Sequence, residues 1–416
     1  MSDRIAGKRG ELMSDKARII QECSRANAVR RVYEGHADRY GFFRNVKGSV
    51  LISGSRALEK GFPEELICEY ASRRDMPSIV LTSRQSFIRN LQELQRDGST
   101  DGIVVTGTMD RNYHPMYGLS GSQILNVIKT AAEEIGCKNM DQLLIYTAAL
   151  LDITASEYPL SLPAISALLK EEDDTIAKIA AENSLPENLS EHILGNCESG
   201  IILRRIVEKL EEIFRDTALK DSETKYSFQS GTERGIPVMV FFQMAGDQKI
   251  MNQYLKEEIY AAARRSEQLR IVLHETIFTG EDDPLMNMVF QLKRQGTEVV
   301  IISQNALEML YGGSLDFENV CLFGHGNPEE TEKISEKIFG FYQHHELTTA
   351  VGKPPSVFFT LRKDIRWQDS SEKRLKIRAE DLYGTRGFFG NPSEKAAIRT
   401  VNNSGIYLVP ATELGL

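Results

Sequence analysis

Short, unbroken apolar runs bounded by turn signals, with helix-length segments between them, constrain this chain more than any other feature. Ser49–Ser53 (SVLIS), Ser78–Thr82 (SIVLT) and Gly102–Thr106 (GIVVT) read as strands covered on both faces. Helices are expected between them at Pro63–Arg73, which opens with proline in its first turn, and at Phe87–Arg96. The same texture returns later at Pro237–Gln243 (PVMVFFQ), Leu269–Leu273 (LRIVL), Glu298–Ile302 (EVVII) and Val320–Phe323 (VCLF). Helices are expected at Gln248–Arg265, Pro284–Arg294 and Glu329–Tyr342. Strands that alternate with helices in this way build a mostly parallel sheet.

Residues 121–220 carry helix signals and no good strand: Gln123–Ile135, Met140–Leu151, Leu162–Leu169, Asp174–Asn183, Leu189–Leu194 and Ile201–Thr217. Turn residues such as Ser184-Leu185-Pro186 punctuate the stretch. The fold class expected is therefore α/β, a sheet interrupted by an all-α insertion and then completed. Two separate α/β halves are the alternative. One sheet is preferred, because the first half alone supplies only about three strands. Residues 1–45 form an N-terminal arm, helical over Lys16–Val32, with Arg18, Arg25, Arg30 and Arg31 and then Tyr40, Phe42 and Phe43. Its simplest reading is a solvated helix leading to a hydrophobic docking segment. Residues 346–416 read as short strands and turns, with a late strand at Gly405–Val409.

Composition narrows the function classes. The 50 Lys+Arg and 59 Asp+Glu give a net charge of −9, which excludes a broadly basic nucleic-acid surface and leaves a local patch or pore lining open. No window approaches the roughly 18 apolar residues of a membrane-spanning helix, and the opening MSDRIAGKRGELMSDK has no apolar signal core. The five cysteines are scattered, with no CxxC pair. The expected setting is reduced and cytoplasmic.

The first strand runs into Gly54-Ser55-Arg56-Ala57-Leu58-Glu59-Lys60-Gly61. A phosphate-binding loop of the form G-x-x-x-x-G-K-[ST] wraps phosphates with backbone N–H groups, neutralises them with lysine and holds Mg²⁺ with a hydroxyl. Here Gly54, the spacing and Lys60 are kept. Glu59 places a carboxylate where the second glycine belongs, and Gly61 stands where the hydroxyl belongs. An ordinary strand-to-helix turn is the competing reading. Leu269–Leu273 ends in His274-Glu275, at the place where an enzyme with such a phosphate-binding loop needs an acid pair. Glu275 suits the orientation of an attacking water, whereas an imidazole at His274 is a poor ligand for Mg²⁺. The competing reading makes Glu275 a strand-end cap and His274 a satisfied structural histidine. Ser303-Gln304, after the next strand, offers an amide that could sense a terminal phosphate.

Taken in order, these features resemble the FtsK/HerA-like branch of P-loop motors, especially the TraG/TraD-like coupling-protein ATPases of conjugation and type IV secretion. The resemblance covers roughly residues 45–400 and includes Tyr113-His114-Pro115-Met116 ahead of the helical block, and the passage from Asn319-Val320 to Gly340 with Glu332, Ile334 and Ser335. It implies a RecA-like domain over 46–120 and 221–416, with 121–220 as the family's all-α domain. It implies ATP and Mg²⁺ as ligands, with Gly54, Lys60 and Gly61 at the phosphates and Glu275 and Gln304 as the reacting edge. It also implies oligomers with motor or secretion subunits, DNA or cargo protein as the transported partner, and contact with the inner face of the membrane only through partners. Glu59, Gly61 and His274 depart from the pattern, and the membrane-anchoring helices of coupling proteins are absent from this sequence. Three readings follow: a catalytically degenerate adaptor or ring subunit, an active translocase using Lys60 and Glu275, or a cargo-recognition module acting through the helical block.

Remaining clusters read more plainly. Glu281-Asp282-Asp283 lacks the alternation of a calcium loop and reads as solvated. His344-His345 is read at a helix end, where the dipole favours imidazolium. Arg204-Arg205 and Lys209 share a helix with Glu208 and Glu211 and read as a salt-bridged surface. Tyr226-Ser227-Phe228 and Phe241-Phe242 read as core or strand packing.

Overall fold

The computed structural model describes residues 32–34, 47–55, 62–96, 102–107, 114–214, 227–243, 246–309, 316–352, 364–383, 394–400 and 403–411. The chain forms two compact units, Phe43–Ser314 and Met1–Phe42 with Leu315–Leu416.

In the larger unit the apolar runs form strands β1 (Val50–Ser53), β2 (Ser78–Thr82), β3 (Ile103–Gly107), β4 (Val238–Phe242), β5 (Arg270–His274) and β6 (Glu298–Ser303). They lie side by side in the order β1-β6-β5-β2-β4-β3, and every neighbouring pair is parallel. The α/β class expected from the sequence is the one observed. All residues of β1, β2 and β5 are buried, as parallel strands require. Arg270 is the exception in kind, since a charge enters the core. Its guanidinium meets Glu298 at 2.9 Å and Asp75 at 3.3 Å and lies over the Tyr70 ring at 3.9 Å. A buried charge is tolerated only when paired in this way.

Helices α1 (Phe62–Arg73) and α2 (Gln85–Arg96) follow β1 and β2 in the chain. Next come α3 (Gly121–Glu134), α4 (Met140–Glu157), α5 (Leu162–Leu168), α6 (Asp173–Glu182), α7 (Glu187–Leu194) and α8 (Cys197–Ile213), with no strand among them. Their starts are written locally. Ser120 caps α3 in a capping box with Gln123, and Ser161 caps α5 ahead of a first-turn proline. Ile124, Val127, Ile128 and Ala131 repeat at helical spacing and are buried. Close approach of α4 and α8 needs Gly200, since a Cβ there would lie 2.8 Å from the Tyr146 hydroxyl. Helix α9 (Phe228–Glu233) precedes β4, and α10 (Gln248–Arg265) follows it. Phe228 is buried but helical, which corrects the strand alternative, while Tyr226 lies outside the described residues. Gln123 Nε2 donates to the Glu257 carbonyl at 3.1 Å, and Lys209 pairs with Asp247 at 2.7 Å, so α3 and α8 are both tied to α10 or its lead-in.

After β5, α11 (Pro284–Arg294) runs back to β6, and α12 (Ala306–Met309) is a single turn. Asp283 overturns the expectation of a wholly solvated acidic loop. It is buried and caps α11, accepting from Leu285 N at 2.9 Å, Met286 N at 3.1 Å, both Thr279 donors at 2.8 Å and Asn252 Nδ2 at 2.6 Å. Glu281 and Asp282 are exposed.

The smaller unit contains β7 (Asn319–Leu322), α13 (Pro328–Phe339), β8 (Phe341–Gly352), β9 (Asp364–Leu375), α14 (Ala379–Tyr383), β10 (Lys395–Thr400) and β11 (Asn403–Pro410). β11 lies between the short strand Val32–Glu34, parallel to it, and β10, which runs antiparallel to both β11 and β7. β8 and β9 form a two-stranded antiparallel ribbon, paired from Phe341↔Leu375 to Gly352↔Asp364. This corrects two expectations. The helix stops at Phe339, because Gly340 takes a φ of +70°, and Tyr342 is in a strand. His344-His345 therefore also lies in a strand and not at a helix end. Val32, expected at the end of a helix, lies in the short strand Val32–Glu34, and the rest of the N-terminal arm lies outside the described residues.

Candidate functional site

Parallel register places the ends of five strands level. Ser53 lies opposite Ser303, Ile302 opposite His274, His274 opposite Thr82, and Thr82 opposite Phe242. The residues that follow them, Gly54, Gln304, Glu275, Ser83-Arg84 and Gln243, therefore emerge at one carboxyl edge. In parallel α/β sheets this edge is where ligands bind.

Gly54 leaves β1 with a φ of +123°, a conformation that favours glycine, and its N–H donates to the Ser303 carbonyl at 3.2 Å. The two turns are stitched further. The Ser53 hydroxyl accepts the Ala306 N–H at 3.2 Å, and the Ser303 hydroxyl accepts the Asn305 N–H at 3.1 Å. Lys60 and Gly61, with Glu59 between the turn and the helix, lie outside the described residues.

Glu275 adopts the left-handed region, with φ +48°, and its N–H donates to the Ile302 carbonyl at 3.0 Å. One carboxylate oxygen accepts the Gln304 N–H at 2.6 Å, and the other faces Arg84 Nη2 at 3.2 Å. Its carbonyl accepts the Ser83 hydroxyl. Glu275 and Gln304 thus meet, but through the Gln304 backbone. The amide side chain is exposed.

His274 is buried, with its ring 4.4 Å from that of Phe87 and Nδ1 at 2.9 Å from the Thr82 hydroxyl. The same hydroxyl accepts the Arg84 N–H at 3.1 Å. Burial, aided by the Arg84 charge, pulls the imidazole down to about 3. The ring is therefore neutral at physiological pH. Nε2 is buried without a hydrogen-bond partner, so only one of its two nitrogens is satisfied.

Beyond the acid, a buried amide network holds the chain that carries it. Gln243 Oε1 accepts the Ile277 N–H at 2.8 Å, and its Nε2 donates to Asn252 Oδ1 at 2.6 Å and to the Ile277 carbonyl at 3.1 Å. Asn252 passes the connection to Asp283. Arg84, Thr82 and Gln243 escaped the sequence reading. Each follows or ends an apolar run, and position at a strand end was the only signal available.

The donor set fits Mg²⁺ poorly. Mg²⁺ requires hard oxygen ligands, whereas His274 offers a buried nitrogen and Glu275 already faces the Arg84 cation. Among the described residues no cluster of three His, Cys, Asp or Glu side chains could hold a metal ion.

No family model matches the chain, and no curated protein matches it. Solved structures do show likeness. The bacterial conjugative coupling protein TrwBdeltaN70, in its unbound monoclinic form, is 12% identical over 87% of this chain and 84% of its own, with a TM-score of 0.44. Plasmid coupling protein TrwB in complex with ADP and Mg²⁺ gives the same identity, coverage and score. VirB4 of Thermoanaerobacter pseudethanolicus is 14% identical over 70% of this chain and 82% of its own, with a TM-score of 0.39. Among the described residues no helix is long and apolar enough to cross a membrane.

Proposed function

We propose that this protein is a motor-like component of a conjugative or type IV secretion-type transfer system that works as an adaptor or ring subunit without steady ATP hydrolysis. In this reading 46–120 and 221–416 are the RecA-like portion and 121–220 an inserted all-α domain. Partners are further copies or active motor subunits, with DNA or cargo protein as the transported species. The protein is cytoplasmic and reaches the inner face of the membrane through those partners.

One observation carries the proposal: the strand-end position where a P-loop enzyme needs a hard oxygen ligand for Mg²⁺ holds His274, buried, with Nδ1 2.9 Å from the Thr82 hydroxyl. A neutral buried imidazole supplies no negative charge to a metal–phosphate clamp. Glu275 accepts from the Gln304 N–H and faces Arg84, and so braces neighbouring strand ends. Glu59 and Gly61 add to it from the sequence alone. The full chain titrated calorimetrically with millimolar Mg-ATP is expected to give weak heats without saturation. A well-defined micromolar isotherm contradicts the proposal.

A second reading, cargo recognition through the helical segment, is favoured by one observation. Among the described residues the exposed large apolar side chains are Ile135, Ile145, Tyr158, Leu194 and Ile201, all within 121–213. If it holds, Tyr158→Asp and Ile201→Asp in the full chain abolish co-purification of a secreted cargo. Unchanged co-purification rejects it.

A further inference from the structure

The two partners of Glu275 differ in kind. The Gln304 N–H is backbone, fixed by the strand end and the turns around it. Arg84 is a long side chain that is 45% exposed, against 19% for Glu275, so it is the partner that can leave. Its backbone, in contrast, is anchored: its N–H donates to the Thr82 hydroxyl and its carbonyl accepts the Ile88 N–H at 3.4 Å. Motion is thereby confined to the side chain. The guanidinium carries five N–H donors in a planar fork suited to phosphate oxygens, and a single contact at 3.2 Å to Glu275 uses few of them.

We propose that Arg84 is an anion-responsive latch on Glu275: a polyphosphate group arriving at the carboxyl edge draws the guanidinium away and releases one carboxylate oxygen. The inference is additional to the non-hydrolysing reading and compatible with it, since it needs only a weakly held anion at this edge and no turnover. It goes further by naming the residue through which such a ligand acts. Without ligand, Arg84 neutralises an acid whose other oxygen is fixed. With ligand, the same arginine neutralises phosphate, and the Glu275 carboxylate is left without its counter-ion. The two anions compete for one cation, so removing either changes the affinity of the other.

Competition of this kind makes a signed prediction. The probe is sodium tripolyphosphate without Mg²⁺, titrated into the full chain at low ionic strength. Glu275→Gln should tighten binding at least about fivefold, because Arg84 no longer has to leave a carboxylate. Arg84→Ala should weaken it by a similar factor, and Arg84→Lys should fall between. General electrostatics predicts tightening for any lost carboxylate, so the discriminating step is a double-mutant cycle. In an Arg84→Ala background Glu275→Gln should have almost no effect. Additive effects of the two substitutions, or no binding by any variant, overturn the latch. Phosphate release from Mg-ATP, measured separately, tests the non-hydrolysing reading and leaves the outcome of the cycle unaffected.

Discussion

The Gln304 N–H donates to the Glu275 carboxylate at 2.6 Å, although 29 residues separate them in the chain. The contact joins the turns after β5 and β6, where the Glu275 N–H also reaches the Ile302 carbonyl. Glu275→Ala should leave the Gln304 N–H without its acceptor and cost about 1–2 kcal/mol in a denaturant titration. Glu275→Gln keeps an acceptor there and should cost less than half as much. Equal losses for the two would remove the bracing role.

His274 ties this edge to acid stability. Its folded value of about 3 lies below the ordinary 6.5, because burial disfavours the charged ring. The unfolded chain therefore binds the extra proton, and the contribution of His274, complete above pH 6.5, is lost as pH falls from 6.5 towards 3. Chemical denaturation followed over that range should show stability declining on acidification. His274→Asn, which keeps a polar atom near the Nδ1 position, should flatten the decline. A slope unchanged in the variant would mean that the histidine is not buried neutral.

Glu258 has the opposite sign. It is fully buried on α10, and burial raises its carboxyl to about 8 against the lowering effect of the Tyr254 hydroxyl and the Phe228 and Met116 N–H groups. An acid with a raised folded value stabilises fully below its ordinary 4.5, and that stability is lost as pH rises from 4.5 to about 8. Glu258→Gln, an isostere of the protonated form, should gain on wild type steadily across this range. A stability difference that does not change with pH would contradict the assignment.

Asp283 gives the clearest contrast between neighbours. It holds five donors from α11, Thr279 and Asn252, whereas Glu281 and Asp282 are exposed. Asp283→Ala should lose about 3 kcal/mol, a helix cap together with buried donors left unmet. Glu281→Ala and Asp282→Ala should each change stability by less than about 0.5 kcal/mol. Similar losses at all three positions, read from denaturant midpoints, would return the segment to a plain solvated loop.

These contrasts show where sequence reading reaches its physical limit. Apolar runs such as SIVLT and EVVII announce their strands, because a parallel strand buries both faces and leaves no alternation to confuse with a surface. Pro284 likewise marks the start of α11, and an aspartate immediately before a first-turn proline was the available sign that Asp283 turns inward as a cap. The polarity of its two acidic neighbours hid it. Residues 346–416 were expected to hold short strands and turns, and the 12-residue lengths of β8 and β9 escaped because strands reading QHHE and DSSEK carry no apolar run. At the site, position at a strand end pointed to Glu275 and Gln304. The Arg84 contact joins residues 191 apart in sequence, and no local pattern encodes it.

The account turns on whether this carboxyl edge turns over nucleotide. The direct measurement is phosphate release by the full chain under saturating Mg-ATP, alongside Lys60→Ala and Glu275→Gln. We expect all three proteins to match the protein-free blank. Turnover by wild type that disappears in either variant would contradict the account and establish an active motor.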